Sequence, residues 1–193
     1  MRPGHLFVLS APSGAGKSTL IDRAIREIPG IWHSVSATTR QPRKYEEEGV
    51  HYYFMERDAF EKTIAEGHFL EWAEVHGECY GTPSEEVDRR LAGGEDVIMD
   101  LDVQGALQVK KHRPEAILIF IIPPSLEALR KRIEDRRTET EESIRRRLSI
   151  AEKEMSHRDQ YEQVIVNDVL DDAFGDLAGV IQSSRGPAEE AGS

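Results

Sequence analysis

A single cysteine, Cys79, is all the thiol that this 193-residue chain carries. One cysteine cannot close an internal disulfide, and Cys79 has no neighbouring metal ligands, which agrees with a reducing compartment. Long hydrophobic runs are also missing. The longest, Ala116 to Ile122 before Pro123-Pro124, is far short of the ~20 residues a membrane-spanning helix needs. Met1-Arg2-Pro3-Gly4 does not open a signal peptide, so a cytoplasmic protein with no membrane partner is expected. Positive charge is scarce overall: 25 Lys and Arg stand against 36 Asp and Glu, a net charge of −11. That balance argues against broad binding to nucleic acid, which needs a positive surface to displace counterions. Histidines such as His51, His68 and His76 are scattered without metal-ligand spacing, and the chain has no internal repeat or low-complexity tract.

What the chain does have is a glycine-rich octapeptide, A-P-S-G-A-G-K-S, from Ala11 to Ser18. It lies between an apolar run, Leu6-Phe7-Val8-Leu9, and a helical pattern of Leu20, Ile21, Ala24, Ile25 and Ile28 that ends at Pro29-Gly30. Strand, glycine loop and helix, in that order, make a phosphate-binding loop. Gly14 and Gly16 leave backbone N–H groups free to wrap phosphate oxygens, Lys17 brings a mobile positive charge, and Ser18 offers a hydroxyl to a Mg²⁺ that bridges phosphates. Ala11, Pro12, Ser13, Gly14, Ala15, Gly16, Lys17, Ser18 and Thr19 form the candidate nucleotide site. The first position departs from the general pattern. Ala11 stands where glycine is usual, and a positive φ there would be strained, while Pro12 removes one amide.

The rest of the chain reads as an α/β protein of one domain, long enough to bury a core. Asp96 to Asp100, Ile117 to Ile122 and Val164 to Asn167 have the character of buried parallel strands. Gln104 to Lys111, Ser125 to Arg136, Glu141 to His157 and Leu170 to Ser183 carry helical periodicity, which predicts a three-layer core of parallel sheet flanked by helices. The terminal carboxylate of the second strand, Asp100, resembles the acidic residue that helps organise Mg²⁺ in phosphate-loop enzymes. Between these units, His33 to Gly94 has a different texture, with Val35, Tyr52, Tyr53, Phe54, Phe69, Trp72 and Tyr80 broken by glycines. It predicts an inserted, mainly β subdomain. The expected division is a domain over 1–184, with core segments 5–32, 95–131 and 148–184, an insertion over 33–94 and a helical lid over 132–147. A disordered tail is expected over 185–193. Arg130, Lys131, Arg132, Arg136, Arg137, Arg145, Arg146 and Arg147 lie within eighteen residues. They read either as a solvated helix face with paired charges or as groups that meet an anion.

The second strong motif is T-T-R-Q-P-R-K-Y-E-E-E-G-V-H-Y-Y-F, Thr38 to Phe54. Arg40 and Arg43, three apart, can fork onto one phosphate, and tyrosine hydroxyls can complete its shell. Two loop arginines taken alone are more often surface charge; the full spacing through Glu46, Gly49, Tyr52 and Phe54 favours the clamp. This run resembles the signature of guanylate kinases. So do F-L-E-W-A (Phe69 to Ala73), Y-G-T (Tyr80 to Thr82), D-L-D-V-Q-G (Asp100 to Gly105), R-x-x-x-R-x-T-E-T-E-E-S (Arg132 to Ser143) and V-I-V-N-D (Val164 to Asp168).

The resemblance implies a P-loop kinase core with a GMP-binding subdomain and a lid, which transfers the γ-phosphoryl group of ATP to GMP, and also to dGMP. By that resemblance Arg40, Arg43, Tyr52 and Tyr80 hold the GMP phosphate, and Ser36, Glu71, Thr82 and Asp102 read the guanine, with Asp100 on the same side. Lys17 would sit at the β- and γ-phosphates, Mg²⁺ would bind ATP oxygens with help from Ser18, and Arg132, Arg136 and Arg147 would close from the lid. Arg137 departs from the family, where a small residue, often glycine, is usual, so neighbouring arginines could exchange roles. Asn167 falls near the adenine of ATP, although an asparagine at a strand end also forms turns. Two readings stay open at Glu71, an exposed strand carboxylate or a guanine reader, and at Asp102 a helix N-cap and a base contact are compatible. A catalytically silent, phosphopeptide-binding relative is the alternative; such modules have an eroded phosphate loop, whereas Lys17 and Ser18 are intact. The pattern leaves a homo-oligomer open.

Overall fold

The structure is a computed structural model that describes residues 2–134 and 140–186. Two sheets organise it. The core sheet contains β1 (Leu6–Ser10), β2 (Ile31–His33), β7 (Asp96–Asp100), β8 (Ile117–Ile122) and β9 (Gln163–Val166), in the order β2-β7-β1-β8-β9, all parallel. The smaller sheet contains β3 (Ala37–Thr38), β4 (Tyr53–Phe54), β5 (Phe69–Val75) and β6 (Glu78–Pro83), in the order β4-β3-β6-β5. β5 and β6 form an antiparallel hairpin, and β3 pairs antiparallel with β6 and parallel with β4.

The strand β1 is buried along its whole length because it is central and covered on both faces, which is why it reads as an unbroken apolar run. One face is covered by α1 (Lys17–Glu27) and α7 (Leu170–Arg185), whose Leu20, Ile21, Ala24, Ala173, Leu177 and Ile181 close over Phe7, Leu9, Ile119 and Ile121. The other is covered by α3 (Ser84–Ala92) and α4 (Val103–His112), through Val87, Val103, Ala106 and Val109 against Leu6, Val8, Met99 and Phe120. The helix α2 (Arg57–Ala65) backs the small sheet, where the Phe60 and Phe69 rings lie 4.4 Å apart. The last two helices, α5 (Leu126–Glu134) and α6 (Glu141–Met155), pack on each other through Leu129, Ile133, Ile144 and Ala151.

The central strand is also where the chain changes direction across the sheet: the next strand, β2, lies beyond β7 on one side, and β8 lies on the other. Ligands of such sheets bind at the carboxyl ends of the strands at that crossover, where the loop after β1 sits.

Some expectations shift. The helix α3 falls inside the segment read as the insertion, yet it packs against the core, since Val87 and Leu91 face β7. Arg185, placed in a disordered tail by the sequence, instead closes α7. Its guanidinium reaches Asp96 Oδ2 at 2.7 Å and the Pro29 carbonyl at 2.8 Å, an anchoring that the absence of apolar residues in the tail did not reveal. Residues 187–193 of that tail, and 135–139 of the lid with Arg136 and Arg137, lie outside the described residues. Among the described residues no helix is long and apolar enough to cross a membrane.

Candidate active site

Strand β1 ends at Ser10, and the chain turns at once into α1 through a loop with Gly14 at φ 95° and Gly16 at φ 92°. Both values lie where a side chain would be strained, so the glycines are required by the turn itself. Ala11 is under no such demand, because among the described residues the only non-glycine with positive φ is His76. No side chain caps α1, so its first N–H groups stay directed at the concavity in front of them. That concavity has a volume of about 360 Å³ and is lined by Ala11 to Gly14, Gly16 to Thr19, and Glu154. Ala15 is missing from the lining because its side chain is buried in the core. Its carbonyl accepts a 2.7 Å hydrogen bond from Asn167 Nδ2. Asn167 thus braces the loop from behind, in addition to any contact with a base, and β9 is tied to the loop by it.

Lys17 points across the loop to the end of β7. Its ammonium donates to the Leu101 carbonyl at 3.0 Å and forms an ion pair with Asp100. The sequence read Asp100 both as an acid that helps organise Mg²⁺ and as a residue on the GMP side; in the structure it lies against the phosphate-loop lysine. Leu101 leads to Asp102, whose Oδ1 accepts from the Gly105 N–H at 2.8 Å and so caps α4.

On the other side of this segment lies Glu71, in β5. Only 6% of it is exposed, which rules out the exposed strand carboxylate. Its Oε1 accepts from the Thr82 hydroxyl at 2.7 Å, and the Ser36 hydroxyl lies 3.4 Å from that of Thr82. Burial pushes the Glu71 carboxyl up from the ordinary range, the Thr82 hydroxyl opposes the rise, and the charge of Asp102 adds to it. Gly105 leaves room here: a Cβ on it would come to 3.4 Å from Glu71 Oε2. Gln108 locks the strand to the helix by bonding both the N–H (3.2 Å) and the carbonyl (3.1 Å) of Trp72.

Farther along the small sheet, Arg40 lies over the Tyr52 ring at 5.4 Å, and the Tyr52 and Tyr80 rings are 6.1 Å apart at 66°. These three predicted phosphate ligands are together. Arg43 is not with them. Its guanidinium donates to the Tyr45 hydroxyl at 3.1 Å, and only its backbone N–H joins the cluster, through Glu46 at 2.7 Å. On the lid side, Arg132 donates to the Asn167 carbonyl at 2.8 Å, and Arg147 lies half-buried on α6.

Sequence reasoning missed two carboxylates. Glu46, counted in the motif but given no role, holds Arg40 with 3.0 and 2.8 Å contacts. Glu154, one acidic residue on a charged helix with nothing to single it out, lines the loop's concavity. Its Oε2 is buried without a hydrogen-bond partner among the described residues. Burial raises its pKa, the charge of Asp102 adds to this, and Lys17 opposes it.

The comparisons decide which enzymes share this arrangement. The family model for guanylate kinase matches residues 3–184. The chain belongs to the guanylate kinase family. A guanylate kinase of Carboxydothermus hydrogenoformans is 46% identical over 185 residues, covering 96% of this chain and 91% of that protein. Another, of Synechococcus sp. (strain CC9311), is 50% identical over 170 residues, covering 88% and 90%. The crystal structure of guanylate kinase from Anaplasma phagocytophilum superposes with a TM-score of 0.71 at 32% identity, covering 97% of this chain and 89% of that one. The match over residues 3–184 takes in the strands of both sheets.

Proposed function

We propose that this protein transfers the γ-phosphoryl group of ATP to GMP, and to dGMP, giving ADP and the nucleoside diphosphate. The observation that carries the reading is the junction. Lys17 of the phosphate loop bonds Leu101, and the next residue, Asp102, stands beside the buried Glu71. A triphosphate in the loop and a purine on Glu71 would meet across residues 100–105. A carboxylate such as Glu71 matches guanine, which presents N1–H and N2–H₂ side by side, and it mismatches adenine, which lacks that pair of donors.

The roles follow from the chemistry of transfer. The attacking GMP phosphate is largely ionised near neutral pH, so no protein base is required. Catalysis is alignment of two polyanions with neutralisation of charge on the group in flight. Lys17 and the loop N–H groups would hold the β- and γ-phosphates; Arg40, Tyr52 and Tyr80 would hold the acceptor phosphate, joined by Arg43 after its guanidinium leaves Tyr45. Ser36, Thr82, Glu71 and Asp102 would read the base. Arg132, Arg136 and Arg147 would approach the transferring group from the lid, with closure excluding water.

The oxygen donors fit Mg²⁺. The Ser18 hydroxyl lies in the first turn of α1, and the Asp100 carboxylate is beside Lys17, a small set for a hard cation that keeps waters and phosphate oxygens as its other ligands. Bound with ATP, Mg²⁺ would neutralise phosphate charge. A silent phosphopeptide-binding module has no use for the intact loop, with its uncapped helix and its lysine. The test is an ADP-release assay with ATP and GMP, dGMP, AMP, CMP or UMP. Turnover confined to the guanine nucleotides is expected, and equal rates with AMP would refute the assignment of Glu71.

A further inference from the structure

Glu46 lies outside every role assigned above, yet its side chain is only 5% exposed and is held by three donors. Two come from Arg40, Nη1 at 3.0 Å and Nη2 at 2.8 Å, and the third is the Arg43 N–H at 2.7 Å. The Arg40 guanidinium holds this carboxyl down to about 2, with help from the Arg43 N–H, so Glu46 is an anion at any working pH.

A guanidinium is a planar fork of five N–H donors. Its end edge, Nη1 with Nη2, is taken by Glu46, and the other Nη1 hydrogen goes to the Gln41 carbonyl at 2.8 Å. What remains is the side edge, Nε–H with the second Nη2 hydrogen, a parallel pair suited to two oxygens of one phosphate. The Tyr80 hydroxyl interacts with Arg40 and, with the other three hydrogens taken, can accept only on this side edge. An incoming phosphate would replace that bond while the hydroxyl turns to donate to it; the Tyr52 ring lies against the cation.

Two accounts of Glu46 predict opposite effects. It could occupy the place of the acceptor phosphate and have to be displaced, or it could hold Arg40 in aim. The backbone decides between them. Glu46 is built into a turn in which its own N–H donates to the Arg43 carbonyl at 3.0 Å while its carboxylate takes the Arg43 N–H. A group locked to its loop at both ends is a fixture of that loop, and the edge of Arg40 that it leaves open is bidentate.

We infer that Glu46 is a positioning residue: it grips the end edge of Arg40 so that the side edge, with Tyr52 and Tyr80, is presented to the acceptor phosphate. This rests on the assignment of GMP as acceptor. The test compares the wild type with Glu46→Gln and Glu46→Asp. In Glu46→Gln the amide puts an N–H₂ against the guanidinium and breaks the fork. KM for GMP should rise about tenfold or more, with kcat and KM for ATP within about twofold, because the lost interaction holds substrate and transition state alike. Inhibition by guanosine, which has no phosphate, should be unchanged. Glu46→Asp keeps the charge and loses reach, so its KM should fall between the other two. With Arg40→Lys as background, Glu46→Gln should add less than about twofold, because the fork it served is gone.

A lowered KM for GMP would show that Glu46 competes with the phosphate, and an unchanged KM would show that it has no part in binding. Parallel loss of GMP, ATP and guanosine binding with a lower melting temperature would reduce it to a structural turn residue. If Glu46→Gln does not fold, Glu46→Asp is judged by the same split between GMP and guanosine. No GMP turnover by the wild type would sink the assignment of the acceptor; normal wild-type turnover with an unmoved KM in the variants would sink only the role of Glu46.

Discussion

Replacing Glu71 by glutamine should weaken the enzyme and leave its fold as stable as before, or more so. The two effects have one cause. Glu71 is 6% exposed, and burial raises its carboxyl pKa. A raised folded pKa means that ionised Glu71 opposes folding. The opposition sets in as pH rises through the unfolded value and is complete above the folded one. Glutamine carries no charge to desolvate and still accepts from Thr82. At pH 7 the melting temperature of Glu71→Gln should equal or exceed that of the wild type, and the two should converge in acid, where Glu71 is itself neutral.

Guanine binding goes the other way. A carboxylate accepts from N1–H and N2–H₂ together, and hydrogen bonds to a charged group contribute ~1.5–3 kcal/mol each. The amide keeps one oxygen and turns an N–H₂ toward a donor, so a loss of ~2–4 kcal/mol is expected, or ~30- to 1,000-fold in kcat/KM for GMP. Activity with AMP, expected to be slight in the wild type, should barely move. Since binding needs the ionised carboxylate, wild-type affinity for guanosine should fall as pH drops through the raised pKa, and in Glu71→Gln that acid limb should vanish. Steady-state kinetics with GMP and AMP, guanosine titrations from pH 4 to 8 and thermal melts read all three. If the GMP to AMP ratio is unchanged in a folded Glu71→Gln, Glu71 does not read the base.

Lys17→Met should lower kcat by about 100- to 1,000-fold or more, as loss of a cation at developing charge does. GMP binding, measured by calorimetry, should be unchanged, and stability should move by less than about 1 kcal/mol because the Lys17–Asp100 pair is partly solvated. Gly16→Ala sets a Cβ 2.3 Å from Asn167 Nδ2 at φ 92°. It should therefore break the bond from Asn167 to Ala15 and raise KM for ATP about tenfold, with the GMP constant unmoved. Asp96→Asn should cost ~3 kcal/mol in urea unfolding, because it strips a buried carboxylate from Arg2, Arg185 and the His5 N–H. Burial alone would raise the Asp96 pKa, but these donors overcome it and hold the carboxyl at about 2. The stability it contributes is present above pH ~4 and lost as pH falls toward 2, a slope that Asp96→Asn should flatten.

The residues that the sequence places well are those whose role is local. The phosphate loop declares itself because a tight turn into a helix demands Gly14 and Gly16 wherever it occurs, and β1 and β8 declare themselves because central parallel strands are apolar on both faces. Roles that depend on what lies across the fold were less legible. Asp100 meets Lys17 and Asn167 meets Ala15, pairs joined by neither spacing nor periodicity, and Arg185 is fixed by Asp96 at the far side of the sheet. Arg43 shows the limit in reverse: the motif gives its spacing to Arg40, but the rotamer follows Tyr45, a contact that no pattern encodes.

Signs are sorted along the acceptor site. Acidic groups, Glu71 and Asp102, stand at the end where a guanine would lie, and the basic group, Arg40, stands at the end where its phosphate would lie. A protein of net charge −11 gains little from long-range attraction of a nucleotide, and salt confines what remains to about 8 Å. Recognition must then come from this local sorting, which favours one orientation of the ligand: reversed, the phosphate would meet two carboxylates and the neutral base would face a cation. The cations are also neutralised in two different ways. Lys17 pairs with Asp100 through a single flexible ammonium and must turn away from it to reach a triphosphate. Arg40 can keep Glu46 on one edge and accept a phosphate on another. ATP binding would then be an exchange of partners at Lys17, whereas GMP binding would be an addition at Arg40, already in place, joined by a move of Arg43 away from Tyr45.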